Sequence, residues 1–382
     1  MEVPFHRPYM SNDEIAEVQD CLRNGWITMG RKTIEFEEQF GKYIGIKNSI
    51  AVNSCTAALH LALRVIGLKE GDEVIVPSTT FVATAEVVNY FNAKPILVDI
   101  DPETHLIDVS KIEEKISEKT KAIIPVHFSG QPADMDEILE LAEKYDLFVI
   151  EDAAHALPAW YKGKKVGTIG DLTCFSFYAT KTLTTGEGGM VTTESNEWAE
   201  RIRVLRLHGI SKDAWKRYSK EGTWEYDVLE NGYKYNMTDI NAALGLAQLR
   251  KLEWMWRERK EIAEKYNDAF KDLEEVILYK VKEDRKTSWH LYPLKLNLEA
   301  LDISRSEFIE KLKERGIGTS VHFIPLYRFS YYRRLGYRIE EFPNSEWVFE
   351  RVVSLPIFPG MTDEEVNYVI ENVVEILKDA RR

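Results

Sequence analysis

The first two-thirds of the chain alternates short runs of apolar residues with longer segments in which apolar residues recur at helical spacing. Near-continuous apolar runs are typical of parallel strands buried on both faces, and strands that alternate with helices indicate βαβ units. The pattern therefore predicts an α/β fold with a mostly parallel, seven-stranded sheet flanked by helices. The predicted strands are Ser49–Val52, Glu73–Pro77, Pro95–Val98, Lys121–Val126, Leu147–Glu151, Leu172–Phe177 and Met190–Thr193, and the helices between them are Thr56–Val65, Thr84–Phe91, Asp134–Tyr145 and Asn196–Leu207.

The pattern changes near Thr238, where one long helical segment begins with Thr238 or Asp239 as its N-cap. A helix of this length often connects two domains, and the segments after it mix strand and helix signals. We therefore expect a large α/β domain over residues 1–250 and a smaller α+β domain over residues 251–382. The elements predicted in the smaller domain are a strand over Ser288–Leu296, a helix over Arg305–Arg315, a strand over Gly318–Phe323 and a helix over Asp363–Leu377.

Composition narrows the class of protein. The 382 residues carry 50 lysines and arginines against 63 acidic residues, a formal net charge of −13, which argues against non-specific binding to nucleic acid phosphates. Three cysteines without metal-ligand spacing disfavour a disulfide framework or a metal site and indicate a reducing compartment. The charged N-terminal segment and the lack of any apolar run of ~20 residues predict a cytoplasmic protein without a membrane span.

The candidate site residues lie in the loops after the predicted strands, because ligands of open α/β sheets bind at the carboxyl ends of the strands. Lys181 follows the strand Leu172–Phe177 and precedes a Gly-Glu-Gly-Gly turn. A lysine in apolar surroundings has a depressed pKa and becomes a nucleophilic amine suited to Schiff-base chemistry. The alternative is an ordinary surface lysine, although the glycines allow the backbone to approach a ligand closely.

A second candidate segment is EDAAHA, in which Asp152 ends a buried strand. A carboxylate in this position can hold the protonated ring nitrogen of a pyridine cofactor, or it can cap the next helix. The segment by itself leaves both interpretations open. His155 has a packed, hydrogen-bonded role as its alternative to a catalytic one.

Two further strand ends supply weaker signals. Ser54 and Thr56 stand where a strand passes into a helix, so their hydroxyls and the helix amides either bind a phosphate or simply cap the helix. Phe81 can stack on an aromatic ligand or belong to the core. No GxxxxGK[ST], GxGxxG, HExxH or GxSxG pattern occurs, which leaves several common nucleotide and hydrolase sites without support.

Together these segments supply an amine, an anion for a ring nitrogen, a stacking ring and a phosphate site, which is the set that pyridoxal 5′-phosphate requires. In motif order the chain resembles the DegT/DnrJ/EryC1/StrS family of nucleotide-sugar aminotransferases, which are fold-type I pyridoxal-phosphate enzymes. Within that family it is most similar to the enzyme that aminates a UDP-linked 4-keto-pentose. The segments that carry the resemblance are GWITMG, NSCTAAL, PSTTFVAT, VDIDPET, IPVHFSGQPADM, EDAAHA, SFYATKTLTTGEGG, GYKYNMTDINAA, RGIGTSVHF and SLPIFPGMT.

The resemblance implies a role for each candidate residue. Lys181 would form the internal aldimine and shuttle the proton, and Asp152 would hold the pyridinium nitrogen. Phe81 would stack on the ring, and His155 would lie beside it near the 3′-oxygen. Phosphate contacts are implied for Cys55, Thr56 and Ser176 and, across the interface of a homodimer whose active sites lie between subunits, for Asn236 of the partner subunit.

The resemblance further implies that an amino group passes from L-glutamate to the keto carbon, C4 in the most similar relatives, of a nucleotide-linked sugar used in polysaccharide biosynthesis. Some relatives carry histidine at the lysine position and dehydrate sugars, so Lys181 favours transamination. The alternatives are a pyridoxal-phosphate dehydratase or lyase, amination of a non-nucleotide ring ketone, a non-catalytic binding module and a Schiff-base aldolase. The sugar itself does not follow from the sequence; candidate lining residues, each of which has packing as its alternative, are Trp26, Thr28, Tyr161, Lys165, His322 and Tyr327. The role of Lys234, which stands where many relatives have asparagine, also stays open.

Overall fold

The computed structural model describes residues 1–211 and 225–382. The strands in these ranges are β1 Asn48–Val52, β2 Glu73–Pro77, β3 Lys94–Val98, β4 Thr120–Ile123, β5 Phe148–Asp152, β6 Trp160–Tyr161, β7 Lys164–Lys165, β8 Leu172–Ser176, β9 Gly189–Thr193, β10 Val276–Ile277, β11 Arg285–Lys286, β12 Tyr292–Leu296 and β13 Val352–Leu355. The α-helices are α1 Asn12–Asn24, α2 Arg31–Ile44, α3 Cys55–Val65, α4 Ala83–Asn89, α5 Met135–Tyr145, α6 Asn196–Leu205, α7 Asp239–Phe270, α8 Arg305–Glu314, α9 Ser330–Arg334, α10 Pro343–Arg351 and α11 Asp363–Asp379.

The main sheet has seven strands in the order β1-β9-β8-β5-β4-β2-β3. Strands β3, β2, β4, β5 and β8 pair in parallel. Strand β9 runs antiparallel to both β8 and β1, so β1 again points the same way as β8. The predicted seven-stranded, mostly parallel sheet is confirmed, and the carboxyl ends of six strands lie along one edge.

All seven predicted strands of this sheet are present, with ends that differ from the prediction by at most three residues. The prediction of a strand over Gly318–Phe323 is wrong: in this segment only Ser320 pairs, through an isolated bridge to Ser354. The strand predicted over Ser288–Leu296 begins only at Tyr292, because Trp289 adopts a left-handed φ of 51° that extended strands do not use. Both segments leave the small sheet to reach the cavity described below.

The long helix α7 connects the two ends of the molecule. It has 32 residues, about 48 Å at 1.5 Å per residue, and it packs against α1 and α2. Thr238 caps it by accepting a hydrogen bond from the amide of Asn241. After α7 the chain forms the antiparallel sheet β10-β12-β13, against which α8 and α10 pack. The division at residue 250 falls inside α7 and stays a prediction.

The large sheet is buried on both faces. Every residue of β1, β8 and β9 is buried, and α3 covers one face through its apolar residues Leu59 and Leu63. Phe36 and Phe40 of α2 pack with Phe175 and Phe177 on the other face. None of the helices in the two described ranges is long and apolar enough to cross a lipid bilayer.

Candidate active site

A cavity of about 460 Å³ opens at the carboxyl ends of the parallel strands. Seven of the eight residues predicted to act in catalysis or cofactor binding line it, and each ends or follows a strand of the main sheet, as the general rule for open α/β sheets predicts. These residues are Cys55, Thr56, Phe81, Asp152, His155, Ser176 and Lys181.

Asn236 is the exception, since it does not line the cavity of its own chain. Its backbone bridges Val52, and its side chain donates to the carbonyl of Met237 at 3.2 Å. The Lys234 ammonium donates to the Asn236 side-chain oxygen. The contact of Asn236 with a neighbouring subunit's cofactor therefore stays a prediction.

Lys181 lies in the loop between β8 and β9, half-buried against the cavity wall. Its backbone amide donates to the carbonyl of Tyr178 at 2.9 Å, which fixes the turn. Within residues 1–211 and 225–382 the Lys181 Nζ makes no hydrogen bond. Burial lowers the pKa of Lys181 to about 8, and the nearby Cys55 and Asp152 oppose that shift. The neutral amine that Schiff-base chemistry needs is therefore accessible near neutral pH.

Asp152 ends β5 and is buried. Its Oδ2 accepts from the Thr84 hydroxyl at 2.8 Å, and its Oδ1 accepts from the Ala154 amide at 3.1 Å. Burial raises the pKa of this carboxyl despite both hydrogen bonds. A cationic partner would offset the unfavourable burial, and the protonated nitrogen of a pyridine ring supplies such a charge.

Glu151, one residue earlier, points away from the cavity. Its Oε2 accepts from His127 Nε2 at 2.8 Å, and its Oε1 accepts from the Gly170 amide and the Thr173 hydroxyl. Because His127 Nδ1 accepts from the amide of Ala133, the ring proton is on Nε2. Burial raises the pKa of Glu151, but these donors lower it by more than burial raises it. The carboxylate therefore stays ionised.

The N-terminus of α3 faces the cavity with Cys55 and Thr56. Ser54 caps the helix by accepting from the amide of Ala57 at 3.1 Å. The amides of Cys55 and Thr56 lie in the first turn of α3, where the helix itself offers no carbonyl acceptor. No other acceptor for either amide is found in the described part of the chain. These free amides and the hydroxyls of Thr56 and Ser176 can bind a phosphate.

Gly189 brings β9 against this helix end. A Cβ at Gly189 would lie 2.5 Å from the carbonyl group of Ser54 and 2.8 Å from the amide nitrogen of Cys55. Real Cβ atoms do not approach so closely, so a glycine is required for the strand to pass here. The close packing holds the helix amides in position over the cavity.

His155 stands beside Lys181 in a fully packed environment. Its Nδ1 accepts from the Ser129 amide at 3.3 Å, so its proton is on Nε2. Its ring lies 5.7 Å from that of Phe323, nearly parallel, and 4.4 Å from that of His290. Burial and the charge of Lys181 hold the pKa of His155 well below its usual range, so the imidazole is neutral.

Phe81 lies at the cavity mouth with 59% of its surface exposed, and its ring is 6.2 Å from that of Phe323. An exposed aromatic ring at a cavity mouth is available to stack on a bound ring. Of the six candidates for the sugar site, His322 lines this cavity, whereas Trp26, Thr28, Tyr161, Lys165 and Tyr327 do not.

Sequence reasoning missed several lining residues, notably Phe5, His290, Ser320 and Phe323. No strand-end signal marks them, because they belong to the N-terminal segment and to loops after α7. Only His290, a polar residue between apolar neighbours, offers a local hint. Packing of distant segments brings them to the cavity.

The residues present fit pyridoxal 5′-phosphate. Within the described ranges, the cavity holds an amine without a hydrogen-bond partner at Lys181, a buried carboxyl without a salt bridge at Asp152, and helix amides without an acceptor at Cys55 and Thr56. Each of the cofactor's functional groups, the aldehyde, the ring nitrogen and the phosphate, meets a complementary group.

Comparison with known proteins shows similarity over nearly the whole chain. The family model described as "DegT/DnrJ/EryC1/StrS aminotransferase family" matches residues 8–374. An uncharacterized protein of Methanocaldococcus jannaschii is 57% identical over 380 residues, which are 99% of this chain and 98% of that protein. The spore coat polysaccharide biosynthesis protein SpsC of Bacillus subtilis is 48% identical over 380 residues, with the same coverage. A putative sugar aminotransferase from Streptococcus pneumoniae, solved in its PLP form, superposes with a TM-score of 0.92 at 36% identity and covers 99% of each chain.

Proposed function

The chain belongs to the DegT/DnrJ/EryC1/StrS aminotransferase family, and from this premise we propose that it transfers an amino group from L-glutamate to the keto carbon, C4, of a nucleotide-linked sugar. The family match and the solved relatives confirm the coarser predictions: a sugar aminotransferase of fold-type I that uses pyridoxal phosphate. The donor, the nucleotide and the position of amination are the proposed parts.

One observation carries the proposal: the unpaired amine of Lys181 lies in one cavity with the buried carboxyl of Asp152. Bound pyridoxal phosphate supplies an electron sink that stabilises a carbanion next to the transferred nitrogen. Lys181 is the residue that carries the cofactor between turnovers and, once released, moves a proton at the substrate carbon, a contribution of roughly 10²–10⁴-fold. Asp152 keeps the ring nitrogen protonated, and His155 packs beside it.

The sugar side of the proposal rests on relatives. SpsC is named for spore coat polysaccharide biosynthesis, and the pneumococcal relative is described as a sugar aminotransferase. We therefore expect a nucleotide-linked keto-sugar, UDP-linked by resemblance, as the acceptor, and an amino-sugar for polysaccharide synthesis as the product. We also propose a cytoplasmic location, which the three free cysteines, Cys21, Cys55 and Cys174, support.

We further propose a homodimer with active sites between subunits. Neither Lys234 nor Asn236 lines its own chain's cavity. Lys234 is exposed, whereas Asn236 is buried and bonded to Lys234 and Met237, so Asn236 would have to exchange these bonds to contact a neighbouring chain. An aromatic group of Tyr233, Tyr235 and the half-exposed Tyr90 surrounds His60 on the same side of the molecule. Exposed aromatic surface of this kind is characteristic of interfaces.

The test uses ¹⁵N-labelled L-glutamate and a panel of UDP-, GDP- and dTDP-linked 4-keto sugars. The protein should show the visible absorption band of lysine-bound cofactor, lose it on addition of glutamate, and deliver ¹⁵N to one of the sugars. Lys181→Ala should lose both the band and the transfer. Lys165→Gln is the matched control, because Lys165 is also half-buried with a pKa lowered by burial but lies outside the cavity. Loss of water from a sugar without nitrogen transfer would identify a dehydratase instead.

A further inference from the structure

The cavity wall around Lys181 is built from histidines. His155, His290 and His322 line it, and His6 lies behind it with Nε2 3.2 Å from the carbonyl oxygen of Ala179. The rings of His155 and His290 are 4.4 Å apart, and His322 Nδ1 is 2.9 Å from the Ser354 hydroxyl. Four imidazoles from distant parts of the chain therefore gather beside one amine.

Arg259 of α7 lies behind this wall and is 1% exposed. Its guanidinium donates to the backbone carbonyls of Trp289, His290 and Ile357, the last at 2.7 Å. Its Nε has no hydrogen-bond partner, and no acidic side chain in residues 1–211 or 225–382 forms a salt bridge with it. Buried charges are normally paired, so the histidine wall stands in the field of an uncompensated positive charge.

His290 is the wall residue whose hydrogen-bonding capacity is unused. It is 5% exposed, and its Nδ1 is buried without a partner; neither ring nitrogen bonds to any residue of the described ranges. Its backbone is held firmly, since its amide donates to Ser129 and its carbonyl accepts from Arg259. An unsatisfied buried polar group that lines a cavity indicates a ligand group that satisfies it.

The ligand group that meets His290 must be an anionic group located near the reacting amine of Lys181. Among the lining residues that belong to the described ranges, 1–211 and 225–382, Lys181 is the only lysine or arginine, and the acidic ones are Asp152 and Glu187. The α-carboxylate of an amino acid is attached to the carbon that bears the transferred nitrogen, so it must lie beside Lys181. The phosphates of a nucleotide-sugar are separated from the keto carbon by the sugar ring and extend further out.

We propose that His290, with His322 beside it, binds the α-carboxylate of the amino-acid donor and takes up a proton from solvent as the carboxylate enters. The inference rests on the proposed function, because the same cavity must hold an anionic amino acid in one half-reaction and a sugar ring in the other. A fixed arginine would be left unpaired when the sugar is bound. An imidazole loses its charge instead, which suits both ligands.

The surroundings of His290 set the direction of this response. Burial holds its pKa well below the usual range, and the neighbouring basic groups lower it further. No acidic side chain in the part of the chain that the structure describes contributes to the shift, so His290 is neutral until an anion arrives. A bound carboxylate raises the pKa of the imidazole and draws in the proton. The groups that act on it are His155, Lys181, Arg259 and His322.

The experiment compares wild type with His290→Gln, both loaded with cofactor. Glutamine keeps the size and a hydrogen-bond donor but cannot become charged. The half-saturating concentration of L-glutamate, read from loss of the visible band, should rise ~10-fold, because a hydrogen bond from a charged donor is roughly twice as strong as one from a neutral donor. The half-saturating concentration of the UDP-linked 4-keto-pentose should change less than about threefold, since a sugar ring does not need the charge.

Proton uptake is measured separately with L-2-hydroxyglutarate, which carries both carboxylates but no reactive amine. Calorimetric titration in two buffers of different ionisation enthalpy should show net proton uptake, at most one proton, at pH 6 in wild type, because one carboxylate contact raises a pKa by about 1–3 units. The uptake should be lost in His290→Gln. His105→Gln is the matched control, because His105 is equally buried but lies outside the cavity and the influence of Lys181.

Unchanged glutamate affinity and unchanged proton uptake in a His290→Gln protein that keeps its cofactor band would overturn the inference. If His290→Gln loses the cofactor band, glutamate affinity and proton uptake are measured on His322→Gln instead. Unchanged values in His322→Gln would also overturn the inference. A wild-type protein that uses another α-amino acid refutes glutamate as donor, and the titrations are then run with that amino acid. A protein that accepts only amines lacking a carboxylate refutes the carboxylate site itself.

Discussion

Glu151 and Asp152 are adjacent carboxylates with opposite environments. Successive residues of a strand point to opposite faces, so Asp152 meets the cavity while Glu151 is enclosed by His127, Gly170 and Thr173. The sequence presents both as acidic residues at a strand end. Only the register of β5 against its neighbours decides which one can reach a ligand.

Asp152→Asn should reduce turnover at least ~10²-fold, because a neutral amide does not keep a ring nitrogen protonated. The fold should be retained, since the amide oxygen can still accept from the Ala154 amide and the amide nitrogen can donate to the Thr84 hydroxyl oxygen. Rates of glutamate-driven band loss, measured on cofactor-loaded protein, provide the check. A variant with wild-type rates would show that Asp152 has no electronic role.

Glu151→Gln should lower the free energy of unfolding by about 3 kcal/mol at pH 7, because it removes the charge from a buried, fully bonded carboxylate. The folded-state pKa of Glu151 lies below its ordinary value, so its stabilisation is present above about pH 4.3 and is lost as the pH falls through the folded-state value. Urea unfolding at several pH values tests both points. The exposed Glu118→Gln should change stability by less than about 0.5 kcal/mol.

The pKa of Lys181, lowered to about 8, predicts how the cofactor-free protein captures pyridoxal phosphate. The neutral amine is the reactive form, so the capture rate should rise with pH and level off above about 8. An ordinary lysine would keep rising to about 10.4. Stopped-flow measurement of the visible band from pH 6 to 10 distinguishes the two, and an inflection near the ordinary value would contradict the burial of this amine.

At the scale of elements, the site depends on how β9 passes the N-terminus of α3. The helix presents two free amides because Ser54 caps only the Ala57 amide, and Gly189 lets the strand lie directly against Ser54 and Cys55. The segment Gly318–Phe323 is an element that the sequence pattern predicts as a strand but that the structure does not form. Its alternating pattern fits any extended chain, but it reaches the cavity as an irregular segment rather than as a full strand.

Gly189→Ala should weaken pyridoxal phosphate binding about tenfold and cost ~1–3 kcal/mol of stability, because the added methyl group collides with backbone that cannot rotate away. Gly186→Ala is the control in the same turn: its φ is +79° with no atom within 4 Å of the new Cβ. That variant should lose ~1 kcal/mol through backbone strain but keep its cofactor affinity. Equal affinity losses in both variants would refute the close-packing argument.

At the scale of the whole molecule, the proposed shared active site makes a prediction about subunit mixing. Lys181→Ala and Asn236→Asp each inactivate a homodimer if Asn236 acts on the partner's site. Random mixing gives half heterodimers, in which one of two sites contains both native residues, so about a quarter of wild-type activity should return. Reassembly after mild denaturation, followed by activity assay, provides the measurement. No recovery, with heterodimers verified by mass, would place Asn236 in its own subunit's site or outside both.

The net charge of the chain and the local charge at the cavity wall have opposite signs. The chain carries a formal −13, yet the cavity wall is influenced by Lys181 and the unpaired Arg259. A protein can therefore repel nucleic acid and still attract a small anion to one cavity.

The family resemblance supplied the predictions for Cys55 and Ser176. Local patterns along the chain determined the alternation of strands and helices, the order of the site motifs and the candidates at strand ends, which are Thr56, Phe81, Asp152, His155 and Lys181. These features depend on residues close together in sequence, where periodicity and strand-end chemistry operate. Tertiary structure alone decided that Phe5, His290 and Phe323 join Lys181 and that His127, Gly170 and Thr173 enclose Glu151 away from the cavity. The physical reason is that such contacts join segments far apart in the chain, and no short-range pattern specifies which distant side chains pack together.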